Sequence, residues 1–266
     1  MILREIIIHS YGQREYPFSV PALADLTKLS FDTPITIFVG ENGSGKSTLL
    51  EGIAKSCRAI NIGLLDSMEQ DDTLVDCYPM KPVFHPVRRK QTCFLRSEDF
   101  INFIHRMHQL KKEMRTSLDD VDRKHARPGS YSHLLERSVY QNSLQALEQR
   151  YAHDLTKRSH GEGYLDFFKA RLQNNSLYFL DEPETPLSMQ NLLTLATMIQ
   201  EGVANESQFI ICTHSPILMA MPHATIYEFS DRVASIAFEE VESVQMLKQF
   251  MQYPEAFMRH LAYPPK

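Results

Sequence analysis

Short apolar runs and helical stripes divide the chain into three regions. Ile2–Ile8 reads as a strand, and Ile35-Thr-Ile-Phe-Val39 as a second, buried and rich in β-branched residues. A glycine-rich loop follows, after which Leu49, Leu50, Ile53, Ala54 and Cys57 recur at helical spacing. The last third has the same character. Ser176–Leu180, Gln208–Cys212 and Thr225–Phe229 predict strands, with a helix over Met189–Ile199 between the first two. Strands separated by helices imply a parallel sheet built through crossover connections. A final amphipathic stretch uses Val244, Leu247, Phe250 and Met251.

The middle is purely helical in pattern. Phe100, Ile104, Met107, Leu110 and Met114 form one stripe, and Leu144, Leu147, Tyr151 and Leu155 a second. Between them Ser117–His133 is polar and contains Pro128-Gly129, which predicts a loop. The two stripes are expected to pack into a small helical lobe.

Composition narrows the class. The chain has 266 residues, 43% hydrophobic and 23% charged, with a formal net charge of −5. These values fit an ordinary globular protein with room for a substantial core. Its longest apolar runs fall far short of the roughly 18 residues a membrane helix requires. Arg4 and Glu5 interrupt the first apolar stretch, against a secretory signal, so a cytoplasmic location is expected. Cys57, Cys77, Cys93 and Cys212 are scattered without a zinc-type spacing, and packing is the expected role of Cys57 and Cys212. The mild acidity argues against a wholesale nucleic-acid coat. Local basic clusters (Arg88-Arg89-Lys90, Lys111-Lys112 with Arg115, Arg123-Lys124 and Arg127) keep a nucleic-acid partner open beside solvated faces.

The first chemistry lies between strand and helix. Gly40-Glu41-Asn42-Gly43-Ser44-Gly45-Lys46-Ser47-Thr48 fits the phosphate-loop pattern G-x-x-x-x-G-K-[ST] in full. Gly43 and Gly45 let the main chain wrap phosphate oxygens with its N–H groups inward, and the following helix adds its positive end. Lys46 can neutralise the β- and γ-phosphates, the Ser47 hydroxyl can ligate Mg²⁺, and Thr48 can touch the α-phosphate. Nucleotide binding, with Mg²⁺ at Ser47, follows from this segment.

A carboxylate strand completes it. Leu177-Tyr178-Phe179-Leu180 drives a strand into the core and delivers Asp181 and Glu182 at its carboxyl end, where ligands sit in open α/β sheets. Asp181 is the candidate metal ligand alongside Ser47, and Glu182 the candidate base that polarises the attacking water. Two adjacent carboxylates capping an apolar strand are costly unless a cation or substrate compensates.

The Asp181-Glu182-Pro183 triplet after an apolar strand resembles the Walker B segment of the ABC-type ATPase superfamily, which includes transporter nucleotide-binding domains and SMC-, RecF- and MutS-like ATPases. Thr185-Pro186-Leu187-Ser188 occupies the place of that family's D-loop, with Ser188 where an Asp is usual. Phe209–Pro216 resembles its H-loop, which implies a γ-phosphate contact for His214, 33 residues after Asp181. Ser159-His160-Gly161-Glu162-Gly163, starting 22 residues before Asp181 and preceding a helix expected over Tyr164–Leu172, resembles the signature motif. It departs from the family form at His160 and Glu162. The resemblance implies that Ser159 and Gly161 reach the nucleotide of a second subunit. The Q-loop position lacks a glutamine at the strand end, leaving Arg96, Glu98 or Gln91 as candidates, and Tyr11 or Tyr16 as the adenine-stacking aromatic or as packing.

The overall wording is most similar to small stand-alone bacterial ATPases grouped with SMC- and RecF-type proteins. This implies an α/β P-loop NTPase with a mostly parallel, ABC-ATPase-like core sheet, N-terminal antiparallel strands and an inserted helical lobe. One domain would span 1–266, with a nucleotide-binding core from 1–90 and 175–266 and a lobe over 91–174. Only 113 residues separate Lys46 from Ser159, too few for SMC-type arms. The implied activity is Mg²⁺-dependent ATP hydrolysis, with Lys46, Glu182 and His214 catalytic. An ATP-bound, head-to-tail homodimer would act as a switch on an unidentified protein partner or on nucleic acid, in a repair or phage-defence type of role. The alternative is the ATP-binding subunit of a membrane transporter, without membrane insertion of its own.

Overall fold

The computed structural model describes residues 1–9, 19–62, 80–125, 129–150 and 160–261. In chain order, β1 (Leu3–Ile8), the short helix α1 (Pro21–Ala24) and β2 (Lys28–Ser30) precede β3 (Ile35–Gly40) and α2 (Lys46–Ser56). Then come β4 (Ile60–Asn61), β5 (Met80–Phe84) and β6 (Thr92–Arg96), followed by the helices α3 (Ser97–Lys124), α4 (Tyr131–Arg150) and α5 (His160–Lys169). The chain returns through β7 (Leu177–Asp181), α6 (Met189–Ala204), β8 (Gln208–Cys212), α7 (Pro216–Met219), β9 (Ala224–Phe229) and β10 (Val233–Ile236), and α8 (Glu242–Gln252) and α9 (Pro254–Leu261) close it.

Two sheets organise these elements. The larger has seven strands in the order β10-β9-β3-β8-β7-β6-β4, parallel except for the edge strand β10. The smaller is an antiparallel set, β2-β1-β5. The expected parallel core and N-terminal antiparallel strands are therefore both present.

Period-two alternation distributes the central strands between two cores. Phe38, Phe94, Phe179, Ile210 and Cys212 face one side, packed with Leu49, Leu50 and Ile53 of α2 and with Leu3, Ile6 and Ile8 of the small sheet. Ile37, Leu95, Tyr178, Leu180 and Ile211 face the other, packed with Phe100 and Phe103 of α3, Phe167 and Phe168 of α5, and Leu195 and Ile199 of α6. This double burial explains why β3, β7 and β8 read as continuous apolar runs. One buried side chain fastens the sheets together. The Gln208 carboxamide accepts the Ile2 and Leu3 N–H groups at 2.8 and 2.7 Å and donates to the Leu3 carbonyl at 3.0 Å.

The helical lobe differs from expectation in three respects. The polar stretch Ser117–His133 is not a loop throughout: α3 continues to Lys124, giving 28 residues and a length of about 42 Å. Val121, in that last turn, is 2% exposed, and α3 packs against α4. Around it the two helices turn polar faces to water, which is what the sequence pattern registered. Hydrogen bonds between His133 and Asp122 (2.8 Å) and between His125 and Glu136 (3.0 Å) join the two helices. Second, β6 is a member of the seven-stranded sheet, so the boundary expected at residue 91 falls within the core layer and the helices begin at Ser97. Third, α5 starts at His160 rather than Tyr164, so Gly161, Glu162 and Gly163 lie in its first turn. The helix expected over Met189–Ile199 extends to Ala204. Among the described residues no helix is long and apolar enough to cross a membrane.

Candidate nucleotide-binding site

Sheet register assembles the site. β3, β8 and β7 are adjacent and parallel, with Phe38 opposite Cys212 and Cys212 opposite Asp181. The residues that follow these positions emerge together at the carboxyl edge of the sheet, the edge at which open α/β sheets bind ligands. The segments delivered there are the phosphate loop, Asp181-Glu182 and Thr213-His214.

The phosphate loop has the backbone its sequence requires. Gly43 and Gly45 sit at φ of +82° and +91°, in the left-handed region that disfavours side chains. A Cβ on Gly45 would lie 2.7 Å from Leu23 Cδ1, whereas at Gly43 the space is open. Gly45 is also the N-cap of α2 and no side chain caps the helix there, leaving its positive end to the loop. The Lys46 ammonium donates to the Gly40 and Glu41 carbonyls at 2.8 and 2.7 Å, spanning the mouth of the loop. Burial pushes its pKa below the ordinary lysine range, against the opposing pull of Cys212, Glu182 and Asp181.

Ser47 Oγ donates to Asp181 Oδ1 at 2.9 Å. Burial raises the Asp181 pKa, against the lowering effect of Ser47 and Arg96. Among the described residues no group of three or more His, Cys, Asp or Glu side chains forms a metal-ligand set. One hydroxyl and one carboxylate at a phosphate loop instead suit Mg²⁺, which keeps several waters and takes further ligands from phosphates. The donor set fits.

Glu182 stands at the edge of the phosphate region. Its backbone has φ of +47°, rare for a residue with a side chain. Two hydrogen bonds hold it there: its N–H donates to the Cys212 carbonyl at 2.9 Å, and its carbonyl accepts from Ser97 Oγ at 2.6 Å. The carboxylate is thereby presented to solvent, 48% exposed, with Oε1 3.9 Å from His214 Nε2. Held strain of this kind gathers at functional sites. A cavity of about 1020 Å³ opens over Gly40–Ser44, Glu182 and His214, its far wall formed by Glu228–Asp231 and by Glu242, Ser243 and Met246 of α8.

Sequence reasoning missed Glu184. Its Oε1 accepts the His214 N–H at 2.7 Å, linking the segments that follow β7 and β8. Burial raises its pKa. The only signal was its place at the end of Asp-Glu-Pro-Glu, and nothing in that string says which carboxylate turns inward. Arg96 ends β6 beside Asp181, paired with the Glu51 carboxylate and 3.4 Å from Asp181 Oδ2. Of the other Q-loop candidates, Glu98 lines a small cavity with Arg96 and Asp181, while Gln91 binds the Arg171 carbonyl and the Tyr178 hydroxyl away from the site.

The signature segment is only partly placed. Gly161 is buried against its own chain, where a Cβ would lie 2.7 Å from Asn191 Nδ2 and 3.0 Å from the Pro186 carbonyl. That packing of α5 against α6 accounts for the glycine independently of any nucleotide. Ser188, at the D-loop's aspartate position, caps α6 by accepting the Asn191 N–H at 3.3 Å. Ser159, Tyr11, Tyr16, Cys77 and the end of the second stripe, Tyr151 and Leu155, lie outside the described residues. Cys57, Cys93 and Cys212 are free and buried, and burial raises the thiol pKa to about 12 at Cys57 and Cys93. Among the basic clusters, Arg123 pairs with Asp120, and Arg89 lies over the Phe84 ring.

The family model described as "AAA domain" matches residues 17–57, a span that includes β3, the phosphate loop and α2. No curated protein matches the chain. Similar solved structures include the Smc head domain with an extended coiled coil bound to the C-terminal domain of ScpA, from Pyrococcus furiosus. It is 14% identical with a TM-score of 0.46, over 94% of this chain and 100% of that one. A nucleotide-free ATP-binding cassette from an ABC transporter is 16% identical with a TM-score of 0.46, over 99% and 100% of the two chains. The cbiO1 protein of Clostridium perfringens, part of the ABC transporter complex cbiONQ, is 13% identical with a TM-score of 0.43, over 98% of each. The family match falls on the segment whose geometry is that of a phosphate loop.

Proposed function

We propose that the protein binds Mg²⁺ and ATP and hydrolyses the γ-phosphate bond, using an ATP-dependent head-to-tail dimer as a switch on a partner. The observation that carries this reading is the convergence of Lys46, Ser47, Asp181, Glu182 and His214 at the ends of three adjacent parallel strands.

The phosphates lie in the glycine loop against the N-terminus of α2. Lys46 exchanges the Gly40 and Glu41 carbonyls for phosphate oxygens. Ser47 and Asp181 hold Mg²⁺, which when bound supplies charge neutralisation at the phosphates. The exposed Glu182 carboxylate accepts the proton of the attacking water, and His214, held through its backbone by Glu184, contacts the γ-phosphate. Ser159 of a second copy, ahead of that copy's α5, completes each site, with Gly161 serving to seat α5 against α6, so that hydrolysis opens the dimer. The partner is a protein or nucleic acid.

The experiment is the oligomeric state of Glu182→Gln by light scattering. With Mg²⁺ and ATP the variant accumulates as a dimer, and it is a monomer with ADP. A variant that binds ATP yet stays monomeric removes the dimer switch from the proposal.

A further inference from the structure

Arg96 occupies a position that the hydrolytic chemistry above leaves unexplained. It ends β6 directly opposite Asp181 in the parallel register. Its guanidinium pairs with Glu51 on α2, and its Nε lies 3.4 Å from Asp181 Oδ2. Ser47 already binds the other carboxylate oxygen, so both oxygens of Asp181 have a partner on the protein. A cavity of about 220 Å³ adjoins this junction, lined by Ser47, Arg96, Ser97, Glu98, Asp181 and Glu182 among others. Two buried carboxylates thus share one cation, Glu51 at 5% exposure and Asp181 at 4%.

The metal proposed above needs Asp181. A dication beside a carboxylate that still faces a guanidinium meets a like charge at short range, and low local dielectric magnifies that repulsion. Arg96 therefore has to give up Asp181 when the metal arrives. Glu51 supplies its alternative seat: a planar guanidinium can take one carboxylate with two parallel N–H groups, and neither Arg96 nor Glu51 is then left as an uncompensated buried charge.

We propose that Arg96 is a placeholder cation and positioning residue: it neutralises Asp181 in the nucleotide-free protein, yields Asp181 to Mg²⁺ when the metal arrives with nucleotide, and withdraws onto Glu51. This rests on the reading of the site as a Mg²⁺-nucleotide site. It makes binding of the free metal unfavourable and sets the Mg²⁺ concentration at which nucleotide is captured.

The test is calorimetric titration of Mn²⁺ into nucleotide-free protein, and of ATP into protein in EDTA and across a Mg²⁺ series. It compares wild type, Arg96→Gln, Arg96→Lys and the double variant Arg96→Gln/Glu51→Gln, which leaves Glu51 without an unpaired charge should the single variant fold poorly. The glutamine variants bind Mn²⁺ without nucleotide about tenfold more tightly than wild type, and reach half-maximal ATP binding at about tenfold less Mg²⁺. Arg96→Lys keeps the charge beside Asp181 but cannot take Glu51 with two parallel N–H groups, so its metal dependence falls between wild type and the glutamine variants. ATP binding in EDTA is the same for all four. Unchanged metal dependence in both glutamine variants makes Arg96 a structural latch and overturns the proposal. Weakened ATP binding in EDTA makes it a phosphate ligand and overturns it as well. A wild-type protein that binds no ATP at any Mg²⁺ concentration overturns the nucleotide-site reading itself, and this inference with it.

Discussion

Asp181 carries a cost in the metal-free protein. Its carboxylate is 4% exposed, and burial raises its pKa above 3.8 despite Ser47 and Arg96. A carboxyl whose folded pKa lies above its unfolded value contributes stability that is full below the unfolded value and is lost as pH rises through the folded one. Asp181→Asn removes that loss while an amide oxygen can still accept from Ser47. Its nucleotide-free melting temperature therefore exceeds that of wild type at neutral pH, and the gap closes as pH falls toward 4. Thermal melts across that range check the sign, and a gap that widens on acidification contradicts it. The same variant loses the stabilisation that Mg²⁺ with ATP gives wild type. Legibility at this scale was uneven. The phosphate loop, Asp181 and Glu182 were readable because their chemistry depends on residue types at fixed spacing. Glu184 was not, because its role depends on which way a side chain turns. Glu182 was readable as a candidate base, but its left-handed backbone, clamped by Cys212 and Ser97, comes from elements far away in sequence.

Strands were the most legible elements. β3, β7 and β8 are buried on both faces and so are almost wholly apolar, which sets them apart from their surroundings. Helices of the lobe were less so. Beyond Met107, α3 leaves the main core and packs mainly against α4, and a helix with one narrow buried stripe resembles a polar loop once a Pro-Gly pair lies nearby. The hydrogen-bonded link that Gln208 makes between the two sheets was invisible in the sequence, since it is a single buried polar residue in a strand of otherwise apolar character. Gln208→Leu strands two backbone donors and one acceptor and is expected to cost about 3 kcal/mol, with a melting temperature lower by about 6–10 °C. Differential scanning calorimetry reads it, and an unchanged melting temperature would show that the small sheet is held by apolar packing alone.

At the scale of the molecule, the parallel register of β3, β8 and β7 aligns three distant segments at one edge, and that alignment makes the chain a candidate enzyme. The central claim is that Glu182 acts on water at a nucleotide held by Lys46 and Ser47. Steady-state phosphate release from ATP with Mg²⁺, compared between wild type and Glu182→Gln at matched nucleotide occupancy, tests it most directly. A positioned base is worth about 10²–10⁴-fold, so the variant should bind ATP as wild type does and release phosphate slower by that range. Turnover equal to that of wild type would contradict the account.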